Sequence, residues 1–328
     1  MSTDEAADAI NESTALSVDW FGTPLTPLAG GYSGESFTVG GGDEQCVVRI
    51  YARDPRRALI DASLLRLMRG LLPVPEVLEV RPAYDGNPAV LVTQRLEGAR
   101  LDLVLPGLDQ DQRVRVGRRL GHALGVLSGV PQLRFGAFED EEFTISRRPA
   151  PAADLTQWAQ HFRDAGRLAA WTQRDWTDLL CLIGDAEDVL TMAEPGRHVL
   201  VHSDFNPKNL LIDPESLKLT GVLDWEFAHA GSPYTDLGNL TRFERHPDFV
   251  DAVVSALSDT APPLASEAFQ LGRAVDLWSL IELAGNERLD VVRELAGALL
   301  LAQAREADLN AWPWSTSRVD PTTPRHLP

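Results

Sequence analysis

Val199–Asp213 reads VLVHSDFNPKNLLID. Two apolar runs, Val199–Val201 and Leu210–Ile212, enclose His202, Ser203, Asp204, Asn206, Lys208 and Asn209. Buried polar groups are costly unless they are paired or used. The stretch is therefore either an exposed turn or a reaction centre carried between two short strands. Asp204 and Asn209 stand in a D-x-x-x-x-N spacing, a weak signal by itself. A second apolar run, LTGVLDW, then carries Asp224 near its end.

Two carboxylates and an amide at the ends of buried strand-like segments suit a centre that handles magnesium and phosphate. Magnesium is a hard cation that takes few carboxylate or carbonyl oxygens and fills its shell with phosphate oxygens and water. A carboxylate not tied to metal can accept the proton of an attacking hydroxyl.

Working outward, the chain before residue 95 is β-rich. TPLTPLAGGYSGESFTVGGGDEQCVVRIYA (residues 23–52) predicts strand, glycine loop, strand, GGGD turn and strand. Glycines permit the positive φ that such turns require. DPRRALIDASLLRLMRGL then predicts a helix, with Asp54 as cap, Pro55 in its first position and an end near Gly70. VLEV and AVLVTQ add a strand pair, and RLEGAR reads as a linker because the β pattern stops there. Helices are expected at 109–129, 153–165, 172–193, 233–245, 247–258, 265–284 and 287–308. RRPAPAAD (147–154) is a loop candidate, and Trp312 and Trp314 in the tail are expected to pack on the helical part.

Composition narrows the class. The 328 residues are 44% hydrophobic, enough for a real core in one large or two smaller domains. Cys46 and Cys181 cannot build a disulfide framework and are expected to be buried thiols; no zinc spacing is present. The acidic, polar start MSTDEAADAINESTALS does not read as a secretory signal, and no apolar run suits a membrane span. A reducing cytoplasm is the expected setting. A net charge of −18 disfavours nucleic acid and anionic membranes as partners and favours cations.

VHSDFNPKN followed by GVLDWEFAHAGSPYTDL resembles the aminoglycoside phosphotransferase / choline kinase family, over about residues 20 to 310. The resemblance implies an α+β, bilobal, protein-kinase-like fold. A loosely attached acidic terminus (1–17) would precede a β-rich N-lobe (18–95) and a larger, mainly helical C-lobe (96–328). It implies ATP as phosphoryl donor, with GTP open, and Mg2+. Carried over residue by residue, Asp204 would be the catalytic base, and Asn209 and Asp224 would hold the metal. His202 would brace the loop, and Asp236 would bind its backbone. Gly31, Ser33 and Gly34 would lie in the glycine-rich loop, and adenine would sit near Gln94 and Leu96.

Two positions depart from the kinase pattern. Arg49 stands where a strand lysine is expected, and Asp61 where a helix glutamate would pair with it. A longer cation with a shorter anion could span the same gap, and arginine offers a bidentate fork. Alternatively Arg49 is an edge charge, and the chain binds nucleotide as a regulatory pseudokinase. Lys208 falls where the family often has glycine and could meet phosphate or solvent.

The implied acceptor is a small-molecule hydroxyl compound, cationic by the charge argument: an aminoglycoside-like or other amine-bearing antibiotic. A macrolide, choline, homoserine or ketosamine remains within the same reaction class. Acidic candidates for the acceptor are the FEDEEF loop (Glu139–Glu142), Asp276, Glu282 and Glu287. A protein kinase is disfavoured, because no A-P-E motif closes an activation segment after Asp224.

Overall fold

The computed structural model describes residues 25–28, 35–40, 45–146, 154–168, 170–192, 197–260, 267–287 and 291–317. The acidic terminus, Gly31, Ser33, Gly34, most of the GGGD turn and most of the 147–154 segment lie outside them. The chain divides into two compact units. The first joins residues 1–97 with Glu139–Thr144, and the second holds 98–138 and 145–328.

In the first unit, strands β1 (Thr26–Pro27), β2 (Glu35–Val39), β3 (Cys46–Tyr51), β4 (Val77–Arg81) and β5 (Ala89–Gln94) form an antiparallel sheet in the order β1-β2-β3-β5-β4. Register sets its core. Phe37 faces Val48, Val48 faces Val92, and Ile50 faces Val90, so these side chains gather on one sheet face. Alternation along β3 turns Arg49 and Tyr51 away from that cluster. Helix α1 (Arg57–Met68) buries Ile60, Asp61, Leu64, Leu65 and Met68. It starts later than DPRR suggests: Asp54 accepts from the Arg56 N–H at 3.3 Å, and Arg57 donates to the Asp54 carbonyl at 3.1 Å. The two residues after Asp54 thus form a turn that precedes the helix.

The second unit is mainly helical. It contains α2 (Leu101–Val104), α3 (Gln110–Ser128), α4 (Leu155–Asp164), α5 (Gln173–Met192), α6 (Thr235–Thr241), α7 (Pro247–Thr260), α8 (Ala268–Ala284) and α9 (Val291–Glu306). Asp109 and Gln112 close a reciprocal capping box at the start of α3. α3 lies hard against α7 along Gly117 and Gly121, where a Cβ would overlap the carbonyls of Phe249 and Val253. α4, α5, α8 and α9 enclose the main core, with Leu179, Leu182, Ile183, Leu277, Ile281 and Leu299 fully buried. Trp312 and Trp314 pack against this core, as expected, and meet edge to face at 4.6 Å.

Two small sheets complete the unit. β10 (Leu210–Ile212) pairs with β11 (Leu219–Val222) and β6 (Ala99–Arg100). β9 (His198–Val201) lies between β7 (Pro131–Gln132) and β12 (His229–Gly231), which also pairs with β8 (Gly136–Ala137).

Some expectations change. RLEGAR is not only a linker, because its last two residues form β6; a two-residue strand leaves no alternation to read. The helix expected over 233–245 is regular only from Thr235 to Thr241, since the chain then turns through Arg242 and Glu244 toward Pro247. Cys181 is exposed and Cys46 half-buried, so neither thiol is fully buried. Cys181 occupies the solvent side of α5, whose core side is taken by Leu179, Leu182 and Ile183.

Candidate active site

The chain from His198 to Gly231 closes on itself. β9 leads into the polar loop, and β10 and β11 form a hairpin beyond it. β12 then returns beside β9, with His229 opposite Val201 and Gly231 opposite Val199. The residues following β9 and those preceding β12 are thereby brought together, which unites Asp204 and Asp224 from opposite ends of the hairpin.

His202 is fully buried and ties the two ends. Its Nδ1 accepts from the Asp204 N–H at 3.2 Å, so Nε2 carries the proton and donates to the Leu223 carbonyl at 2.9 Å. Its ring meets those of Trp225 (4.8 Å) and Phe205 (5.9 Å) edge to face. Both aromatics are buried and pack the loop from beneath. Leu223 N–H donates to the Asn209 carbonyl at 2.8 Å, a second tie.

Asp204 is half-buried, with both carboxylate oxygens oriented. Oδ1 accepts from Asn206 Nδ2 and Oδ2 from Asn209 Nδ2, each at 2.6 Å. Burial and then the charge of Asp224 raise its pKa; Arg242 and the two amides oppose the rise. Asn209 Nδ2 also donates to the Asp204 carbonyl at 3.0 Å, which turns its amide oxygen away from Asp204. Asp224 has a left-handed backbone, φ 64°, and Ser203, just before Asp204, has φ 66°. Such a conformation costs an L-residue about 1–2 kcal/mol and persists where surrounding bonds enforce it.

The enforcing bonds come from α6. Asp236 is buried and accepts from the His202 N–H (2.8 Å) and the Ser203 N–H (2.7 Å). Burial pushes its carboxyl up to about 7, although both backbone donors favour the ionised form. Asn239, one turn further on, donates to the Ser203 carbonyl at 3.1 Å. Arg242 follows the helix and is clamped by Asp276 through two bonds of 2.9 and 2.7 Å. Sequence reasoning reached Asp236 but missed Asn239 and Arg242. Their i, i+3, i+6 spacing from Asp236 on a helix was the available signal.

In the first unit, Asp61 on α1 is buried and accepts from Arg57 Nε (2.6 Å) and from the Tyr51 hydroxyl (2.7 Å). The Arg49 guanidinium lies over the Tyr51 ring, 5.3 Å from its centre, and its charge helps hold Asp61 ionised against burial. Where the sequence predicts Arg49 as the partner of Asp61, Arg57 supplies its charged hydrogen bond, and Arg49 stands nearby over the Tyr51 ring. Tyr51 and Arg57 were missed, although i+2 on a strand and i−4 on a helix place them on the faces concerned. Gln94 ends β5 and is exposed, with its N–H on the Glu76 carbonyl at 2.9 Å; Leu96 is half-buried. Lys208 donates its backbone N–H to Asn206 Oδ1 at 3.0 Å.

The acidic candidates for an acceptor divide. Asp276 is engaged by Arg242, Glu287 pairs with Arg167, and Asp140 accepts from the Glu142 and Thr144 N–H groups within its own loop. Glu282 is pushed up by desolvation, with Arg242 opposing.

A small antiparallel β unit with one helix, and a larger helical unit carrying an oriented aspartate beside a second carboxylate, are the parts of a protein-kinase-like fold. The chain belongs to the phosphotransferase enzyme family, whose model matches residues 24–268.

Solved structures of similar fold include the GDP complex of an aminoglycoside 2'-phosphotransferase-IIIa mutant (17% identity, 91% of this chain and 92% of that one, TM-score 0.64). Another is a thermostable mutant of aminoglycoside phosphotransferase APH(4)-Ia with AMP-PNP and hygromycin B (18% identity, 90% and 98%, TM-score 0.62). Among curated proteins, mouse acyl-CoA dehydrogenase family member 10 is 25% identical over 226 residues, 63% of this chain. The mouse family member 11 is 42% identical over 48 residues, 15% of this chain. The matched segments span only 19% and 6% of those proteins.

Proposed function

We propose that the chain transfers the terminal phosphoryl group of ATP, with GTP an open second donor, to a hydroxyl of an amine-bearing small molecule, an aminoglycoside-like antibiotic foremost. The observation that carries the proposal is Asp204: a half-buried carboxylate, oriented by two amides, made more basic by burial and by Asp224. A base so held can take the acceptor's proton as the hydroxyl attacks. His202 and Asp236 hold the loop backbone and do not react.

The Asp224 carboxylate and the Asn209 amide oxygen, the latter turned away from Asp204, fit a magnesium site. Two protein oxygens are what this cation takes when phosphates and water complete its shell. Magnesium, when bound, neutralises charge on the transferring phosphates. In the first unit, the family resemblance assigns Arg49 to the nucleotide phosphates with Asp61 as its counter-charge, and Gln94 and Leu96 toward the base; Gly31, Ser33 and Gly34, assigned to the phosphates with them, lie outside the described residues.

The acceptor's amine is supported by the net charge of −18 and by the hygromycin B named for one structural neighbour. A second acceptor class, an acyl thioester bearing a hydroxyl, enters the test because the two mouse relatives, of which the matched segments span 19% and 6%, are named for acyl-CoA dehydrogenases. One assay separates the two. The protein is incubated with magnesium-ATP and a panel of aminoglycosides, choline, homoserine, ketosamines, macrolides and hydroxyacyl-CoA esters, and products are read by mass spectrometry. Phosphorylation confined to amine-bearing acceptors is expected. Turnover of the thioesters alone overturns the acceptor class, and nucleotide binding with no turnover of any acceptor overturns the activity.

A further inference from the structure

We propose that Asn239 is a positioning residue for phosphoryl transfer. It grips the Ser203 carbonyl, so that the peptide entering Asp204 keeps its left-handed turn. The proposal rests on the assignment of Asp204 as the base.

Three observations converge on it. First, Ser203 has φ 66°, a conformation that a residue bearing a Cβ adopts only under constraint. Second, both sides of Ser203 are held from one helix face. Asp236 takes its N–H at 2.7 Å, and Asn239, one turn along α6, supplies the donor to its carbonyl at 3.1 Å. With one side released, the Ser203–Asp204 peptide could rotate toward an unstrained conformation and carry the Asp204 carboxylate with it. Third, Asn239 is a poor choice for packing alone. It is 3% exposed, and its amide oxygen is buried without a hydrogen-bond partner among the described residues. A buried unsatisfied acceptor destabilises the fold, and an apolar side chain of similar shape would avoid that cost. What the asparagine supplies, and leucine cannot, is the bond to Ser203.

The same pattern distinguishes positioning from mere structure. Asn239→Leu removes both the orphan oxygen and the grip. We expect a melting temperature close to that of wild type, since the orphan oxygen is removed while the Ser203 carbonyl loses its donor, kcat lower by ten-fold or more, and KM for nucleotide within about two-fold of wild type. A structural role predicts the reverse, a lowered melting temperature with kcat per folded molecule unchanged, and that result overturns the proposal.

A mutant cycle tests the conformational link. Glycine reaches positive φ without the steric penalty, so Asn239→Ala should cost at least three-fold less in kcat in the Ser203→Gly background than beside Ser203. Equal losses in both backgrounds overturn it. Should the wild-type protein phosphorylate no acceptor, the proposed activity fails, and the grip is still read by backbone amide exchange. Exchange across His202–Asn206 should rise ten-fold or more in Asn239→Ala, and exchange at the wild-type rate contradicts the grip.

Discussion

At the scale of the residue, the site is organised around carboxylates given different environments. Asp204 is half-open, its carboxylate oriented by two amides, as the proposed proton transfer requires. Asp236 is sealed beneath the loop and pushed up to about 7 by burial. The sign of its contribution follows. The folded state binds the Asp236 proton more tightly than the unfolded chain, so stability is greatest below the unfolded value near 4 and falls as pH rises toward 7. The full span corresponds to an upper limit of about 4 kcal/mol. Asp236→Asn has no such proton to lose. Urea unfolding from pH 4 to 8 should show wild-type stability declining with pH relative to this variant, and parallel curves would count against it. The variant should also lose kcat by ten-fold or more, because an amide oxygen cannot serve both loop N–H groups as well as a carboxylate does. Sequence made the proposed reacting residues legible through the combination of the D-x-x-x-x-N spacing with the later Asp224 and the family resemblance the two carry together. Tyr51, Arg57 and Arg242 were missed although their spacing from Arg49, Asp61 and Asp236 marked the faces concerned; spacing names a shared face, and does not say that Tyr51 would bond Asp61 or Arg242 would bond Asp276.

Elements place those residues. α6 is short, yet it carries Asp236 and Asn239 on the face toward the loop. On another side it presses on α8, where a Cβ at Gly238 would overlap the Gly272 carbonyl and meet the Asp276 side chain at 2.8 Å. Backbone cannot yield as a flexible side chain can. Gly238→Ala should therefore lower stability by about 1–3 kcal/mol. It should also reduce kcat beyond what the loss of folded protein explains, because α6 would shift with its loop-binding face. Thermal melts paired with kinetics check both, and an unperturbed variant would show that α6 has room to spare. Strand and helix identities were readable from periodicity: β2, β3, β4, β5 and the long helices lie where alternation and helical spacing put them. The two-residue strands β6, β7 and β8 were not, because they exist only through pairing with β10, β9 and β12. The pairing of β12 with β9, equally invisible in local sequence, is what brings Asp224 to Asp204.

For the whole molecule, the α+β class followed from the chain's motifs, with a β-rich start and a mainly helical remainder. No helix among the described residues is long and apolar enough to cross a membrane. The net charge of −18 acts over distances set by salt. For a cationic acceptor, kcat/KM should fall as ionic strength rises from 0.02 to 0.5 M on the order of the Debye-length change, while a neutral acceptor should respond little. Equal salt response for both would remove charge from the argument about the acceptor. The acceptor itself was not legible, because acidic residues outnumber any site and several serve internal arginines. The central claim is that Asp204 performs the proton transfer while Asp224 holds the metal-bound nucleotide. It is tested most directly by single-turnover phosphoryl transfer, with magnesium-nucleotide affinity measured in parallel, for wild type, Asp204→Asn and Asp224→Ala. The account predicts that Asp204→Asn binds magnesium-ATP normally and loses transfer by about 10²–10⁴-fold, whereas Asp224→Ala loses the affinity itself. Wild-type transfer by Asp204→Asn, or equal loss of nucleotide affinity in both variants, would contradict it.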